Sequence, residues 1–304
     1  MYHLFIIQEV LNRYYKRLVG LWNICYFQWK LIVFEPFLEA YMNLLFTYQG
    51  IARSIDSILE FTKPGTSAFW SSPIFHFFPE LNKEKYITMG ESERREYLTD
   101  YFVKFEQENA AVLHEKVSKY NAKWQECRSQ IVAALEEAFE CDLAEVFQDM
   151  RGYITFNSIS PRYLENSSFD VFYLNSENGA IGLAIHEIIH FVWFYVWRKY
   201  FNDNQEEYET PHLKWILSEM VVDSFMRDER LASINPYHAD GGSAYPYFYT
   251  LQVEGKNILE ILHEMRQRMT VHEFMEESYV FCLKYEKEIR EHIERSELGE
   301  CDGN

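Results

Sequence analysis

The chain has 304 residues, 48% of them hydrophobic, with only 12 glycines and 8 prolines, which excludes a disordered protein and predicts a mainly helical one. The net charge of −18 is spread along the sequence, so we expect that the protein binds neither nucleic acid nor a membrane surface. The acidic residues form a solvated surface that keeps the protein in solution, or else they favour cationic substrates. The five cysteines include no CxxC pair, and the sequence shows no signal peptide, so we expect a cytoplasmic protein. No apolar run reaches 18 residues, so we expect no membrane span. The sequence does not predict the oligomeric state.

Residues 1–149 are predicted to form a helical N-terminal region. Apolar and aromatic side chains recur at helical spacing over 2–61, which fits two or three helices. The stretch 63–82 is rich in proline, glycine and serine and is predicted to be a loop. Thr88 and Glu91 have the spacing of a capping box at the start of a helix that runs to about residue 120, and a further helix is expected over 121–149.

Residues 150–304 are predicted to form a second region with a small sheet. The runs 153–157 and 169–174 are short, aromatic and β-branched, as in strands. An apolar run over 180–197 predicts a buried helix. A helix is expected over 210–228, beginning at Thr210-Pro211, and a loop at 235–249. Two further helices are expected over 255–268 and, after the capping pair Thr270 and Glu273, over 271–295. The whole pattern favours an α+β fold that is predominantly helical.

His186, Glu187 and His190 form an HExxH motif within the apolar run. On a helix, positions four residues apart lie on one face, so both imidazoles can hold one metal ion. Glu187 is about a hundred degrees further round the helix, where its carboxylate can take a proton from a metal-bound water. Three polar side chains in an apolar helix need buried partners, and one Zn²⁺ satisfies all three. Core histidines that are hydrogen-bonded to their neighbours are the alternative.

A catalytic zinc site has three protein ligands and leaves one position to water, so a third ligand is expected downstream. Glu219 is the best candidate, because Asp223 follows four residues later on the same predicted helix and is placed to orient a ligating histidine. Rival ligands that lie nearer in sequence, three of them in an acidic loop, are Glu206, Glu207, Glu209 and His212.

The five residues His186, Glu187, His190, Glu219 and Asp223 resemble the HExxH and ExxxD pattern of the gluzincins, the thermolysin-like metallopeptidases. The resemblance covers about residues 153–228. It implies a zincin-like core, one Zn²⁺ per chain, a peptide or protein substrate, and hydrolysis of a peptide bond with Glu187 as general base. The metzincin pattern fails, because tryptophan and valine occupy the positions of its glycine and third histidine.

The same resemblance suggests how substrate is bound. The strand over 169–174, with Phe169, Val171 and Tyr173, resembles the edge strand on which these enzymes lay an extended peptide. A tyrosine or histidine beyond the third ligand is expected to stabilise the oxyanion, and His238 and Tyr245 are the candidates. Two other functions stay open: a zinc hydrolase with a non-peptide substrate, and a non-enzymatic helical interaction protein with a structural or vestigial zinc.

Overall fold

The computed structural model describes residues 42–143, 146–201, 205–238 and 242–299. The helices predicted before residue 42 lie outside the described residues. The chain divides into two compact units, and all the elements named below belong to the second, Leu44–Asp142 with Asp149–Asn304. The division into regions at residue 149 stays a prediction.

The described part of the chain is α+β and predominantly helical, as predicted. The helices are α1 Ile51–Phe61, α2 Ala68–Ser71, α3 Pro73–Phe77, α4 Lys83–Thr88, α5 Glu91–Ala138, α6 Glu177–Tyr200, α7 Leu213–Met226, α8 Glu229–Ile234, α9 Ile258–Arg266, α10 Val271–Lys284 and α11 Glu286–Glu297. The strands are β1 Leu44–Tyr48, β2 Met150–Thr155, β3 Arg162–Tyr163, β4 Ser168–Phe172, β5 Gln252–Val253 and β6 Lys256–Asn257. Short 3₁₀ helices occupy Leu164–Asn166, Gln205–Tyr208, Pro236–His238 and Pro246–Tyr249.

A four-stranded mixed sheet has the order β1-β2-β4-β3, in which β1, β2 and β4 are parallel and β3 is antiparallel to β4. The helical prediction for residues 44–48 is wrong, because pairing with β2 draws this segment into the sheet. Leu44 and Phe46 are buried while Leu45 is exposed, which is the two-residue period of a strand. The ring of Phe46 lies 2.6 Å from where a side chain at Gly152 would begin, so the close packing of β1 on β2 requires glycine there.

One helix, α5, replaces the two helices that were predicted over 91–120 and 121–149. No proline or glycine interrupts the sequence from 91 to 138, so nothing local ends the helix at 120. The predicted capping pair is also wrong: Thr88 ends α4, and it is Glu93 that accepts a hydrogen bond of 2.8 Å from the backbone N–H of Gly90.

Helix boundaries downstream differ in a similar way. Helix α7 begins at Leu213, because the N–H of His212 bonds the carbonyl of Glu209 and makes a turn of the Thr210-Pro211 segment. The helix predicted over 271–295 is divided into α10 and α11 at Tyr285. The capping box of Thr270 and Glu273 at the start of α10 is confirmed.

Helix α6 lies in the core of the unit, where it packs against α5 and α7. It is the one helix among the described residues that is long and apolar enough to cross a membrane, and 83% of its most apolar window is buried inside the protein. Aromatic side chains of α6 contact the neighbouring helices. Trp193 packs edge-on against Phe225 of α7, with ring centroids 6.2 Å apart. Burial on all sides therefore accounts for its uniform hydrophobicity.

Candidate metal centre

Two packed helices bring three potential metal ligands together. His186 and His190 lie one turn apart on α6, and their Nε2 atoms are 3.1 Å apart. Glu219 of α7 places Oε2 at 3.4 Å from Nε2 of His190 and at 4.0 Å from Nε2 of His186. A point equidistant from these three atoms lies about 2.1 Å from each, which is the bond length of zinc to imidazole nitrogen and carboxylate oxygen. The three side chains therefore fit a single ion of this size.

The charge states of these residues also suit a metal ligand set. Burial lowers the pKa of His190, and the nearby Arg162 acts in the same direction, so the imidazole is held in the neutral form that binds metals. Burial alone would raise the pKa of Glu219, but the hydrogen bond from His190 and the charge of Arg162 outweigh it and hold that pKa well below its usual range. His190 is fully buried, and its Nδ1 has no hydrogen-bond partner among the described residues.

Glu187 lies beside this group but on another side of α6. One ligand atom each of His186, Glu187 and His190 lies within 4.8 Å of the others. Burial raises the pKa of Glu187 to about 8, an effect that Arg162 opposes and the charge of Glu219 increases. Within the described part of the chain its Oε2 accepts no hydrogen bond, although the side chain is buried. A carboxylate with a free oxygen and a pKa near neutrality is suited to accept and return a proton.

Arg162 is the residue of this site that the sequence did not reveal. It comes from β3, its side chain is 7% exposed, and its Nη1 forms a short ion pair with Oε1 of Glu219. Its Nη2 lies 3.5 Å from Oγ of Ser218, the residue before Glu219. A single arginine in a predicted connection gives no signal in one sequence, because only the pairing of β3 with β4 brings it to α7.

Asp223 does not orient a ligating histidine in the way predicted. Its Oδ1 accepts hydrogen bonds from Ser243 Oγ at 2.8 Å and from the Tyr249 hydroxyl at 2.9 Å, and its Oδ2 is 2.8 Å from Nε of Arg227. A cation one helical turn further on and two hydroxyl groups thus compete for this carboxylate and hold it away from the histidines. Asp223 instead ties α7 to the segment 243–249, which carries Tyr245.

The ligand set opens on a cavity of about 540 Å³. His186, Glu187, Glu219 and Tyr245 line one part of its wall, together with residues 159–162. Burial raises the pKa of Tyr245 well above its usual value, and the negative charge of Glu219 adds to this, so its hydroxyl stays a proton donor. Residues from elsewhere in the fold complete the lining, among them Trp70, Trp215, Arg290 and Glu297.

The remaining predictions for this site concern His238 and the rival ligands. His238 belongs to the 3₁₀ helix Pro236–His238, and its side chain lies outside the described residues. Among the rival ligands, Glu209 lines the cavity, whereas Glu207 forms an ion pair with Lys214. Glu219 is the carboxylate that faces both histidines.

The prediction that the strand over 169–174 is an edge strand is wrong where β3 pairs with it. The chain folds back after residue 160 and adds β3 outside β4, but β3 pairs only with Ser168 and Phe169, and the N–H of Asp170 bonds the carbonyl of Pro161. Phe169 and Val171 are fully buried and Tyr173 is 8% exposed, so all three pack in the core instead of lining the cavity. The segment that lines the cavity from this side of the sheet is 159–162.

Four of the five residues that carry the resemblance to gluzincins thus meet at one place, and the fifth, Asp223, supports a neighbouring segment. Comparison of the chain with protein-family models, curated proteins and solved structures finds no match in any of the three. The gluzincin resemblance therefore stays a prediction, and a function follows from the site as a proposal.

Proposed function

We propose that this chain is a zinc-dependent metallopeptidase in which His186, His190 and Glu219 hold the metal and Glu187 is the general base. The observation that carries the proposal is the convergence of the three ligand atoms around one point, at the wall of a cavity. Two imidazoles and one carboxylate are a ligand set of catalytic zinc sites, which keep one position for water. In this proposal α6, α7 and the sheet form a zincin-like core.

The residues around the ligand set support hydrolysis of an amide bond. A bound zinc ion supplies a Lewis acid that polarises the scissile carbonyl and acidifies a water molecule. Glu187 takes the proton that the attacking water loses and returns it to the leaving amine, since its free oxygen and raised pKa suit both transfers. The Tyr245 hydroxyl, kept protonated in the cavity wall, donates a hydrogen bond to the oxyanion of the tetrahedral intermediate.

A zinc hydrolase with a non-peptide substrate is the second candidate, and the burial of β4 favours it. Strand β3 occupies one end of the outer edge of β4, and the side chains of Phe169, Val171 and Tyr173 are buried away from the cavity, so binding along 169–174 is not part of the proposal. The cavity has the volume of a site for a small molecule or a short peptide segment. We therefore expect residues 159–162 to contact a short substrate, not a long extended chain.

Metal content tests the ligand set. The full-length protein, purified without added zinc, is analysed by mass spectrometry as wild type and as His190→Ala and Glu219→Ala. We expect one zinc per chain in the wild type and loss of it in both variants. Glu207→Ala is the matched control, because this carboxylate pairs with Lys214 and does not line the cavity, and it should keep the metal. A wild type that neither contains nor takes up zinc contradicts the proposal.

Activity is tested with Glu187→Gln, which keeps the shape of the side chain but not its basicity. Incubation with a peptide library and with small amide and ester substrates, followed by mass spectrometry, distinguishes the two candidate functions. We expect the variant to retain zinc and to lose about 10²–10⁴-fold in rate. Full activity in the variant contradicts the role of Glu187, and a zinc-loaded wild type that cleaves nothing points to a structural or vestigial metal.

A further inference from the structure

The ion pair between Arg162 and Glu219 lies beside the ligand set, in the wall of the cavity. Both side chains are almost fully buried, with exposed fractions of 7% and 2%. The two oxygens of Glu219 have different partners: Oε1 accepts from Nη1 of Arg162, whereas Oε2 faces the imidazoles of His186 and His190. These separate partners matter for the way in which Glu219 can bind a metal. A carboxylate with both oxygens free can bind a metal through one of them or through both.

The guanidinium group is itself held in place. Its Nη2 is 3.5 Å from Oγ of Ser218, and its central carbon lies 6.0 Å from the ring centroid of Phe194 on α6. Strand β3 fixes the backbone of Arg162, since Arg162 pairs with Phe169 of β4. The arginine therefore has contacts with α6, α7 and the sheet, and it cannot follow Glu219 if that side chain turns.

We propose that Arg162 is a positioning residue that restricts Glu219 to a one-oxygen metal ligand and so keeps a coordination position open toward the cavity. The inference rests on the proposed function, because it assumes a metal on His186, His190 and Glu219. An arginine suits this task better than a lysine, since its planar group can donate to Oε1 of Glu219 through Nη1 and to Oγ of Ser218 through Nη2 at the same time.

A competing effect gives the opposite prediction for metal affinity. A buried positive charge close to a divalent cation repels it, so an arginine that acted only through its charge would weaken binding. If Arg162 positions Glu219, its removal weakens binding; if it acts mainly as an opposing charge, its removal strengthens it. The direction of the change thus separates the two roles.

The experiment uses full-length protein freed of metal by a chelator and then titrated with Co²⁺ or Zn²⁺. The variants are Arg162→Gln and Arg162→Lys, and Arg290→Gln is the control. Arg290 lines the same cavity, but its partners are Glu286 and the carbonyl of Pro211, so the control removes an equal charge without freeing Glu219. The visible absorption of bound Co²⁺ reports its coordination number, being strong for four ligands and weak for five or six.

We expect wild type and Arg290→Gln to show the strong absorption of four-coordinate Co²⁺. Arg162→Gln should show a severalfold weaker spectrum and a zinc Kd that is about 10- to 100-fold higher, which is the usual effect of removing a partner of a metal ligand. Arg162→Lys should fall between the two. Circular dichroism checks folding, and if the glutamine variant does not fold, the lysine variant, which keeps the buried charge, carries the same test.

The outcomes separate this inference from the proposed function. If wild type binds Co²⁺ and an Arg162 variant gives the same spectrum and the same or a lower zinc Kd, the positioning role is overturned and the metal site stands. An equal change in Arg290→Gln also overturns it, because the effect is then one of net charge. A wild type that binds neither metal overturns both proposals.

Discussion

The two sides of the metal centre differ in how they are built. On one side, α6 and α7 present His186, His190 and Glu219 from successive turns of buried helices, so the backbone of each helix fixes the spacing of the ligands. On the other side, β3 and the segment 243–249 present Arg162 and Tyr245, which are held by an ion pair and by packing with other aromatic rings. In the proposed site the helical side provides the ligands, and the other side orients the ligands and the substrate.

This difference has an energetic consequence. A ligand on a rigid helix costs little to hold in place, whereas the ion pair of Arg162 with Glu219 is formed in the protein interior, where removal of one partner leaves an uncompensated charge. The two sides are therefore coupled through a single carboxylate. The sharpest tests are substitutions that distinguish the ion pair of Glu219 with Arg162 from the role of Glu219 as a metal ligand.

The largest effect on stability is expected for Glu219→Ala in the metal-free protein. The substitution leaves the guanidinium of Arg162 buried without its carboxylate, which costs about 3–5 kcal/mol in the free energy of unfolding. The double variant Glu219→Ala with Arg162→Leu removes both charges and should regain most of this loss. Urea unfolding of the two variants and the wild type, all in a chelator, measures the difference.

The single variant Arg162→Leu completes a double-mutant cycle with the two variants above, and it leaves Glu219 buried beside two histidines. We expect a loss close to that of Glu219→Ala, because either unpaired charge is costly. Additive effects in the double variant would show that the two residues do not depend on each other, and the description of a coupled site would be wrong.

A smaller effect, on catalysis alone, is expected for Tyr245→Phe. The variant keeps the ring that contacts Trp70 and Tyr247 but lacks the hydroxyl that we assign to the oxyanion. We expect kcat to fall about 10²–10³-fold, with unchanged zinc content and little change in KM. Steady-state kinetics on whichever substrate the screen identifies provides the measurement, and Tyr247→Phe is the matched control, since Tyr247 is buried and does not line the cavity. Similar losses in both variants would indicate a packing role.

The helical side of the centre is also the side that could be predicted from the sequence. An apolar run with polar residues four apart predicts a buried helix and a metal-binding face without any tertiary information. Glu219 and Asp223 were found in the same way, as residues one turn apart, but the spacing could not tell which partner Asp223 would choose. Helical periodicity identifies a shared face and says nothing of the groups that other segments bring to it.

The sheet side could not be predicted for a related reason. Strands 2–6 residues long carry little periodic signal, and pairing between distant segments decides their order. The sequence pattern therefore predicts helix for residues 44–48, which pair with β2, and an edge strand for β4, which pairs with β3 at Ser168 and Phe169. Arg162 gave no signal because its importance comes only from its position beside β4 and α7.

The smallest of the expected effects concerns Asp223, which links the two sides. In Asp223→Asn the amide has no negative charge for Arg227, and its hydrogen bonds with Ser243 and Tyr249 are weaker. We expect the free energy of unfolding to fall by about 1–3 kcal/mol. Zinc content should not change, because no contact of Asp223 among the described residues reaches a ligand.

The Asp223 variant also tests whether the segment 243–249 needs this anchor to hold Tyr245. If it does, kcat falls in Asp223→Asn while the zinc Kd keeps its wild-type value, whereas a carboxylate that oriented a ligating histidine would change the zinc Kd about 10- to 100-fold. Glu260→Gln is a suitable control, since it removes the other carboxylate partner of Arg227 without touching Ser243 or Tyr249. A weakened zinc affinity in Asp223→Asn alone would restore the role that the ExxxD spacing first suggested, and would require a contact with the histidines that forms only when metal is bound.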